Sequence, residues 1–573
     1  MRGQGRTVTP QARALVLVAV VGLIVLVVGG RTADSQPVQS RHGMVVSQEA
    51  HATRVGLEVL RDDGNAVDAA VATALALAVT HPTAGNLGGG GFLVFRSASG
   101  DAAAYDFREA APLAATPETF IVDGVYDREL HHNSHVAVGV PGTVAGLYLA
   151  WSQEGVLPWD RLVQPALGLA RDGFTISSHL ARSLAGVLEQ MAEYPASVAQ
   201  FSKNGVPYEA GERLYQLDLA RTLERIAEQG PDGFYQGRTA ELIEAEMLAN
   251  GGLITQEDLA SYRPLKRVPV TGAYRGYEVI SMPPSSSGGV ALIQMLNILE
   301  GYDLADSGFG SARTVHLMTE AMRRAYADRA QHLGDPAFNP TMPVERLLSK
   351  SYAEQLRGSI RLDRASTSSP SSFEWAVEGE ETTHLSVVDR ERNAVSLTYT
   401  LEQGYGSKIV VLGAGFLLNN EMGDFNAGPG LTDADGLIGT TPNLAGPGKR
   451  MLSSMTPTIV TKDGRVVMVT GSPGGRTIIN TVLQTIVNVV DFGMDMQGAV
   501  DAPRFHHQWL PDRITVESGG FSEEMLGLLR SMGHRVTERA RQGSAQVVGV
   551  DTESALLAGA PDRRAPGSTA LGH

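Results

Sequence analysis

A mixed α/β architecture of layered sheets covered by helices is predicted by three features of this sequence. The chain has 573 residues with 43% hydrophobic content and Gly 65, enough for a large, tightly packed core rather than a disordered polymer. Its middle, roughly 140–360, is mostly helical in pattern, while a series of β-rich runs opens at Thr382. Strands and helices then follow one another without strict βαβ alternation, the signature of sheets stacked beneath helices.

In chain order, the first element is a leader. Arg2, Arg6 and Arg13 precede an uncharged apolar run from Ala14 to Gly30. A basic flank followed by an apolar run is the layout of an export signal. The run is slightly short for a membrane span of about 20 residues. The expectation for residues 1–36 is therefore a signal peptide or a membrane anchor, the nearest cleavage candidates lying around Ala33 to Ser35.

Asn65 then caps a helix with Asp68 three residues on, and the Ala-rich run to Val79 ends before Pro82. The Gly88–Gly91 run leads into an apolar strand, Phe92–Phe95, and its glycines suit close strand packing. In the helical middle, Val315, Met318, Ala321, Met322 and Ala325 mark one apolar face over 314–332. Residues 362–380 are rich in Ser, Thr, Pro and acids and are expected to form a mobile loop.

The second half reads as strands at Thr383–Asp389 and Ala394–Leu401, separated by an Arg390–Asn393 turn. Further strands are expected at Phe416–Asn420, Thr456–Thr461 and Val466–Gly471, and a helix from about Arg476 to Asp491.

Composition excludes several chemistries. The formal charge of −15 repels phosphate backbones, so no nucleic-acid partner is expected. With no cysteine, disulfides, thiolate metal sites and a Cys nucleophile are ruled out. His131, His132 and His135 cluster, as do His506 and His507, but neither set matches a His-Glu-x-x-His helix. Adjacent histidines on an extended strand face opposite ways, so no metal site is expected.

Candidate chemistry begins at the loop-to-strand junction Glu381-Thr382. A hydroxyl there can attack the preceding carbonyl, and hydrolysis of the resulting ester frees the Thr382 amine. A free α-amine titrates at about 7.7–8.0 and serves as base for the hydroxyl of its own residue. The plain alternative is β-propensity alone, since Thr-Thr opens many strands. Thr400 lies one strand later and meets the Thr382 hydroxyl if the two strands pair. Gly471-Ser472-Pro473-Gly474-Gly475 joins an apolar strand to a helix, where two backbone N–H groups can face a developing oxyanion; the alternative is a tight turn. Arg108 can hold a carboxylate bidentately, Glu421 and Asp424 an ammonium, and Ser453 and Ser454 can donate to a carboxylate. Together these make a pocket for an α-amino acid head group; singly, each also reads as a surface ion pair or turn.

These stretches, taken together, resemble the γ-glutamyltranspeptidase family of N-terminal-nucleophile hydrolases from about Gly43 to the end. The resemblance rests on Gly64–Ala70, Asp106-Phe107-Arg108, Ala325–Arg329, Thr382–Asp389, Leu417–Met422, Leu452–Thr458, Gly471–Gly475 and Ala502–Gln508, in that order. It implies a four-layer αββα sandwich built jointly by two subunits, a large one of 37–381 and a small catalytic one of 382–573, cut at Glu381–Thr382. By the same resemblance, Thr382 is the nucleophile, Thr400 hydrogen-bonds it, and Gly474 with Gly475 forms the oxyanion hole. Arg108, Ser453 and Ser454 hold the substrate α-carboxylate, and Glu421 and Asp424 its α-amine. Expected substrates are glutathione or other γ-glutamyl compounds, with water, amino acids or peptides as acceptors and no cofactor.

Two departures stand out. Many members carry asparagine two residues after the position of Thr400, where this chain has Glu402. A carboxylate there attracts an α-amine and changes the pocket's charge. Some bacterial members carry a lid tyrosine where 429–447 here has none, with Asp435 near the expected place. Two other readings compete. One is a related amidase, of the glutaryl-cephalosporin acylase or poly-γ-glutamate-cleaving kind. The other is a non-catalytic exported binding protein that keeps the fold.

Overall fold

Two seven-stranded sheets organise the chain, and each draws strands from both sides of Thr382. The computed structural model describes residues 36–369, 382–431 and 439–573. Residues 1–35 of the expected leader, residues 370–380 of the expected loop, Glu381 and Asp435 lie outside the described residues. Strands of the two sheets are β1 (Val38–Ser40), β2 (Met44–Ser47), β3 (Gly90–Arg96), β4 (Ala102–Phe107), β5 (Leu265–Arg267), β6 (Val270–Tyr274) and β7 (Tyr277–Ser281). The second half adds β8 (Thr383–Val388), β9 (Ala394–Thr400), β10 (Thr458–Lys462), β11 (Arg465–Thr470), β12 (Gln546–Val550), β13 (Leu557–Pro561) and β14 (Thr569–Gly572). One sheet runs β1-β13-β12-β11-β10-β7-β6 and the other β14-β2-β8-β9-β3-β4-β5.

Three apolar layers stack these sheets. Phe92, Val94, Val388, Ile459, Val469 and Val548 fill the space between them. Leu385, Val387 and Leu397 meet α1 (Ala66–Thr80) and its neighbours on one outer face. Val460 and Met468 meet α2 (Gly288–Leu299), α3 (Ala312–His332) and α4 (Thr477–Val490) on the other. Helix, sheet, sheet, helix is the four-layer order that the family resemblance implies, and Pro37–His573 forms one compact unit. Among the described residues no helix is long and apolar enough to cross a membrane.

Local rules explain the elements around the site. The Asn65 side chain accepts from Val67 and Asp68 N–H, and Asp68 answers to Asn65 N–H, closing a capping box. In β3, a Cβ on Gly91 would collide with Tyr399 of β9, so glycine there allows close strand approach. β8 and β9 pair antiparallel with Thr383 opposite Tyr399, which brings Thr382 beside Thr400. Strand alternation points Leu385 and Val387 at the helices, and His384, Ser386 and, by the same parity, Thr382 at the opposite sheet.

Three expectations change. Phe416–Asn420 is not a strand: Leu417 and Leu418 make only isolated bridges, to Val410 and Gly88. Gly413 and Gly415 turn the chain just before it at positive φ, and its backbone bonds to irregular chain at Leu401, Ile409 and Gly88 in place of a continuous ladder. The helical middle hides β6 and β7, a hairpin whose turn residues Arg275 and Gly276 have φ of 49° and 82°. His131 and His132 lie on a short helix, Arg128–His132, not on a strand.

Candidate active site

Nine of the residues singled out from the sequence converge on one cleft. Arg108, Thr382, Thr400, Glu402, Glu421, Asp424, Ser453, Ser454 and Gly475 line it, and its volume is about 20 Å³. Gly474 lines the adjoining, larger cleft, which also reaches Thr382. Glu381 is outside the described residues.

Thr382 is 5% exposed at the head of β8. Its Oγ1 donates to Thr400 Oγ1 at 3.5 Å, and Thr400 Oγ1 accepts from Glu402 N–H at 2.9 Å. Asn86 holds the Thr400 carbonyl through its amide at 2.8 Å. Two residues along β8, His384 lies against Gly471. Burial pushes its pKa down to about 3, so the ring is neutral. Ser386 donates to the Gln546 carbonyl and so accepts from His384 Nε2, which leaves His384 Nδ1 to accept from Thr398. The strand bearing Thr382 is thus tied to the start of the glycine turn.

Gly474 and Gly475 adopt φ of 129° and 54°, conformations open to glycine and costly for other residues. Their carbonyls accept from Thr477 and Ile478 N–H, starting α4. Among the described residues neither glycine's own N–H is engaged, so both remain available at a helix N-terminus.

Charge is concentrated around Arg108, which follows β4 and is fully buried. Its guanidinium pairs with Glu421 and Asp424, reaches Glu109 at 3.5 Å, and its Nε donates to the Met451 carbonyl at 3.2 Å. Burial works to discharge the group, but the charges of Glu421, Asp424 and Glu109 outweigh it and raise its pKa. Burial also pushes Glu109 up to about 7 against the pull of Arg108. For Glu421, burial dominates the opposing Arg108, and the like charges of Glu109 and Glu402 add to it, so its carboxyl rises well above the ordinary range. The expectation had separated Arg108, for a carboxylate, from Glu421 and Asp424, for an ammonium. Here the two groups of opposite sign pair with each other, which explains the small cavity.

Supporting residues were missed as site residues. Asn419 fixes the Glu421–Asp424 turn by accepting from Glu421 N–H at 2.9 Å while its amide holds Gly88 and Gly139 carbonyls. His131 Nε2 lies 3.0 Å from the Met422 carbonyl within the same turn. Arg329 Nη2 donates to Ser454 Oγ at 3.0 Å, and its Nε donates to Ser287 Oγ at 2.8 Å. Asn419 and Arg329 both fell inside stretches that carry the family resemblance, which was the available signal. Glu109 was signalled only by its place next to Arg108.

Among the described residues, one group has metal-ligand geometry: His316, Glu320 and His534. Its atoms are already committed. His316 Nδ1 and His534 Nε2 share a hydrogen bond of 2.8 Å, and Glu320 pairs with Arg323 and Arg324.

Comparison with known proteins places this geometry in context. The profile of the family described as Gamma-glutamyltranspeptidase matches residues 52–572. A glutathione hydrolase proenzyme of Escherichia coli strain K12 is 50% identical over 542 residues, covering 94% of this chain and 93% of that protein. The crystal structure of a cephalosporin acylase from Bacillus halodurans superposes with a TM-score of 0.83 at 27% identity, covering 95% of this chain and 98% of that one. Helicobacter pylori gamma-glutamyltranspeptidase superposes with a TM-score of 0.55 at 44% identity, over 60% of this chain and 95% of that one.

Proposed function

The chain belongs to the γ-glutamyltranspeptidase family, and on that premise we propose that it is a self-cleaving glutathione hydrolase and γ-glutamyltransferase. The observation that carries the reading is the single cleft where Thr382, Thr400 and Gly475 meet Arg108, Glu421, Asp424, Ser453 and Ser454. A nucleophile stands at one end and charges of both signs at the other.

The reaction runs in two stages. First, Thr382 Oγ attacks the carbonyl carbon of Glu381, the Glu381–Thr382 amide becomes an ester, and water hydrolyses it. The chain is then two subunits, 37–381 and 382–573, and Thr382 has a free amine. Because both sheets mix strands from either side of the cut, the halves stay together through their cores. Second, the amine takes the Thr382 hydroxyl proton as Oγ attacks the γ-amide of the substrate. Gly474 and Gly475 N–H groups stabilise the tetrahedral oxyanion. The leaving amine departs with a proton, and the γ-glutamyl ester passes to water or to an acceptor amine. Thr400 aligns the hydroxyl. Arg108, Ser453 and Ser454 receive the α-carboxylate, while Glu421, Asp424 and Glu402 receive the α-ammonium. Ligand entry exchanges the internal Arg108 pairs for these.

A second reading, acylase activity on glutaryl amides, is favoured by the cephalosporin acylase superposition. The carboxylates argue against it, because a plain glutaryl chain brings no ammonium to meet them. Hydrolysis of γ-glutamyl-4-nitroanilide beside glutaryl-4-nitroanilide decides. We expect the γ-glutamyl substrate to be preferred by at least about tenfold in kcat/KM, the scale of one charge-assisted hydrogen bond. Equal or greater turnover of the glutaryl substrate selects the acylase. The basic-then-apolar leader further supports an exported location, which cell fractionation tests: activity confined to the cytoplasm refutes it.

A further inference from the structure

Residues 361–369 form neither helix nor strand, yet side chains and backbone hold them at four points. The Arg361 carbonyl accepts from His316 Nε2 at 2.8 Å, so His316 Nδ1 accepts from His534 Nε2. Ala365 N–H donates to the Met532 carbonyl at 2.8 Å. Ser366 gives its N–H, at 3.0 Å, and its hydroxyl to the two oxygens of Glu320. Ser368 N–H donates to Asp512 Oδ2 at 2.8 Å, while Arg323 Nη1 bridges Ser368 Oγ and Asp512 Oδ1.

Two of these anchors are ionic. Burial works to raise Glu320, but the charge of Arg323 and the bonds from Ser366 and Arg324 outweigh it and hold its pKa at about 2. Burial also opposes the charge on Asp512, and the His507 bond and the Arg323 charge outweigh it, so the carboxyl stays well below the usual range. His507 is pushed down to about 3 by burial and is neutral. Its Nδ1 accepts from Trp509 N–H, so its Nε2 donates to Asp512 Oδ1 at 3.2 Å. Ordering an irregular stretch costs chain entropy. Apolar burial does not offset that cost here, because Leu362 is 49% exposed. The polar anchors supply the hold.

The anchors come from both sides of Thr382: His316, Glu320 and Arg323 before it, Asp512, Met532 and His534 after it. α3 then leads from the clamp to the site. Tyr326, one turn on from Arg323, donates to the carbonyl of Arg476, beside Gly475. Arg329, about 9 Å along the helix axis from Arg323, reaches Ser454 at 3.0 Å.

We propose that the Arg323–Asp512–Ser368 clamp is a positioning device for self-cleavage, fixing the chain upstream of Glu381 so that the scissile carbonyl is presented to Thr382 Oγ. The proposal rests on the cut at Glu381–Thr382. In that step the Oγ–C bond forms, the C–N bond breaks and the hydroxyl proton passes to the departing nitrogen, so the clamp supplies no reacting group. It shortens the chain that must close onto Thr382. From Gly358, which ends the helix Lys350–Gly358, that chain is 24 steps long (358 to 382); from Ser368 it is 14 (368 to 382). Closure is favoured about twofold by length alone, and a fixed starting point adds orientation. The clamp has no part in later turnover, since none of its residues lines either cleft at Thr382.

Pulse-labelled cell-free synthesis of the full chain tests this, by following its conversion to two fragments. Ser368→Ala and Asp512→Asn are each expected to slow conversion by about threefold or more. The double variant should be no slower than the slower single one, because both changes release the same clamp. Arg323→Lys should convert faster than Arg323→Gln. Once cut, the variants should keep kcat/KM for γ-glutamyl-4-nitroanilide within about twofold of the parent. Ser368→Ala leaves the Arg323–Asp512 pair intact and decides alone if Asp512→Asn does not fold. Conversion at the parental rate overturns the proposal, and so does a matching loss of kcat/KM in the cut enzyme, which marks a merely structural role. A parent that never converts overturns the reading on which the proposal rests.

Discussion

The two clefts that meet at Thr382 differ in room and in charge. One is nearly closed, about 20 Å³, because a buried guanidinium is clasped by Glu421 and Asp424. The other is open, about 360 Å³, and carries guanidiniums with no carboxylate on its wall. A closed, internally paired site suits recognition of one small zwitterion, since an ill-matched ligand leaves buried charges unpaired. The asymmetry separates an enclosed, internally paired end of the site from an open, basic one.

The comparison can be broken from its centre outward. Thr382→Ala removes the one residue common to both clefts, so the chain should remain uncut and turnover should fall by about 10³-fold or more. Intact-mass analysis and a γ-glutamyl-4-nitroanilide assay check both; an uncut variant with near-parental turnover defeats the assignment. Gly474→Ala comes next. Its φ of 129° disfavours a side chain, and a Cβ would run into Thr477. Loss of a positioned donor should lower kcat by about 10²-fold to 10³-fold with a much smaller change in KM. An effect confined to KM would remove Gly474 from the oxyanion hole.

Asp424→Asn sharpens the contrast between the clefts. It should lower kcat/KM for γ-glutamyl-4-nitroanilide by about tenfold or more while leaving glutaryl-4-nitroanilide largely unaffected. Equal losses on both substrates would show that Asp424 acts on Arg108 and not on the ammonium. The smallest expected effect concerns stability. Glu109 is raised from 4.5 to about 7 by burial, so the folded state holds a proton that the unfolded state releases. Its contribution is fully present below pH 4.5 and is lost as pH rises through about 7. Glu109→Gln should flatten the decline of Tm over that window. An unchanged slope would mean that Glu109 does not hold the proton.

Much of this arrangement was legible in sequence because it depends on short-range rules. The Asn65 cap, the Arg390–Asn393 turn and the alternation of β8 follow from neighbouring residues, and the β8–β9 pairing sets Thr382 beside Thr400. The residue pattern reached layered sheets covered by helices, and the four-layer sandwich came only from the family resemblance carried by the quoted stretches. Charge pairing was harder to read. Arg108 and Glu421 lie at a sequence separation of 313, so no local pattern shows that the proposed carboxylate and ammonium binders neutralise each other. The basic cleft has the same origin, since Arg539, Arg541 and Arg564 come together with Thr382 only in the folded chain. Phe416–Asn420 misled for a different reason. Its apolar residues are buried, but its backbone bonds to irregular chain at Leu401, Ile409, Val411 and Gly88 and not to a regular strand.

All of this chemistry requires the Thr382 nitrogen to be a free amine. Sequential degradation of the smaller fragment from purified active protein tests that most directly. The account predicts a fragment that begins Thr-Thr-His-Leu, from Thr382 onward. An active preparation whose smaller fragment begins at any other residue, or that has no second fragment at all, contradicts it.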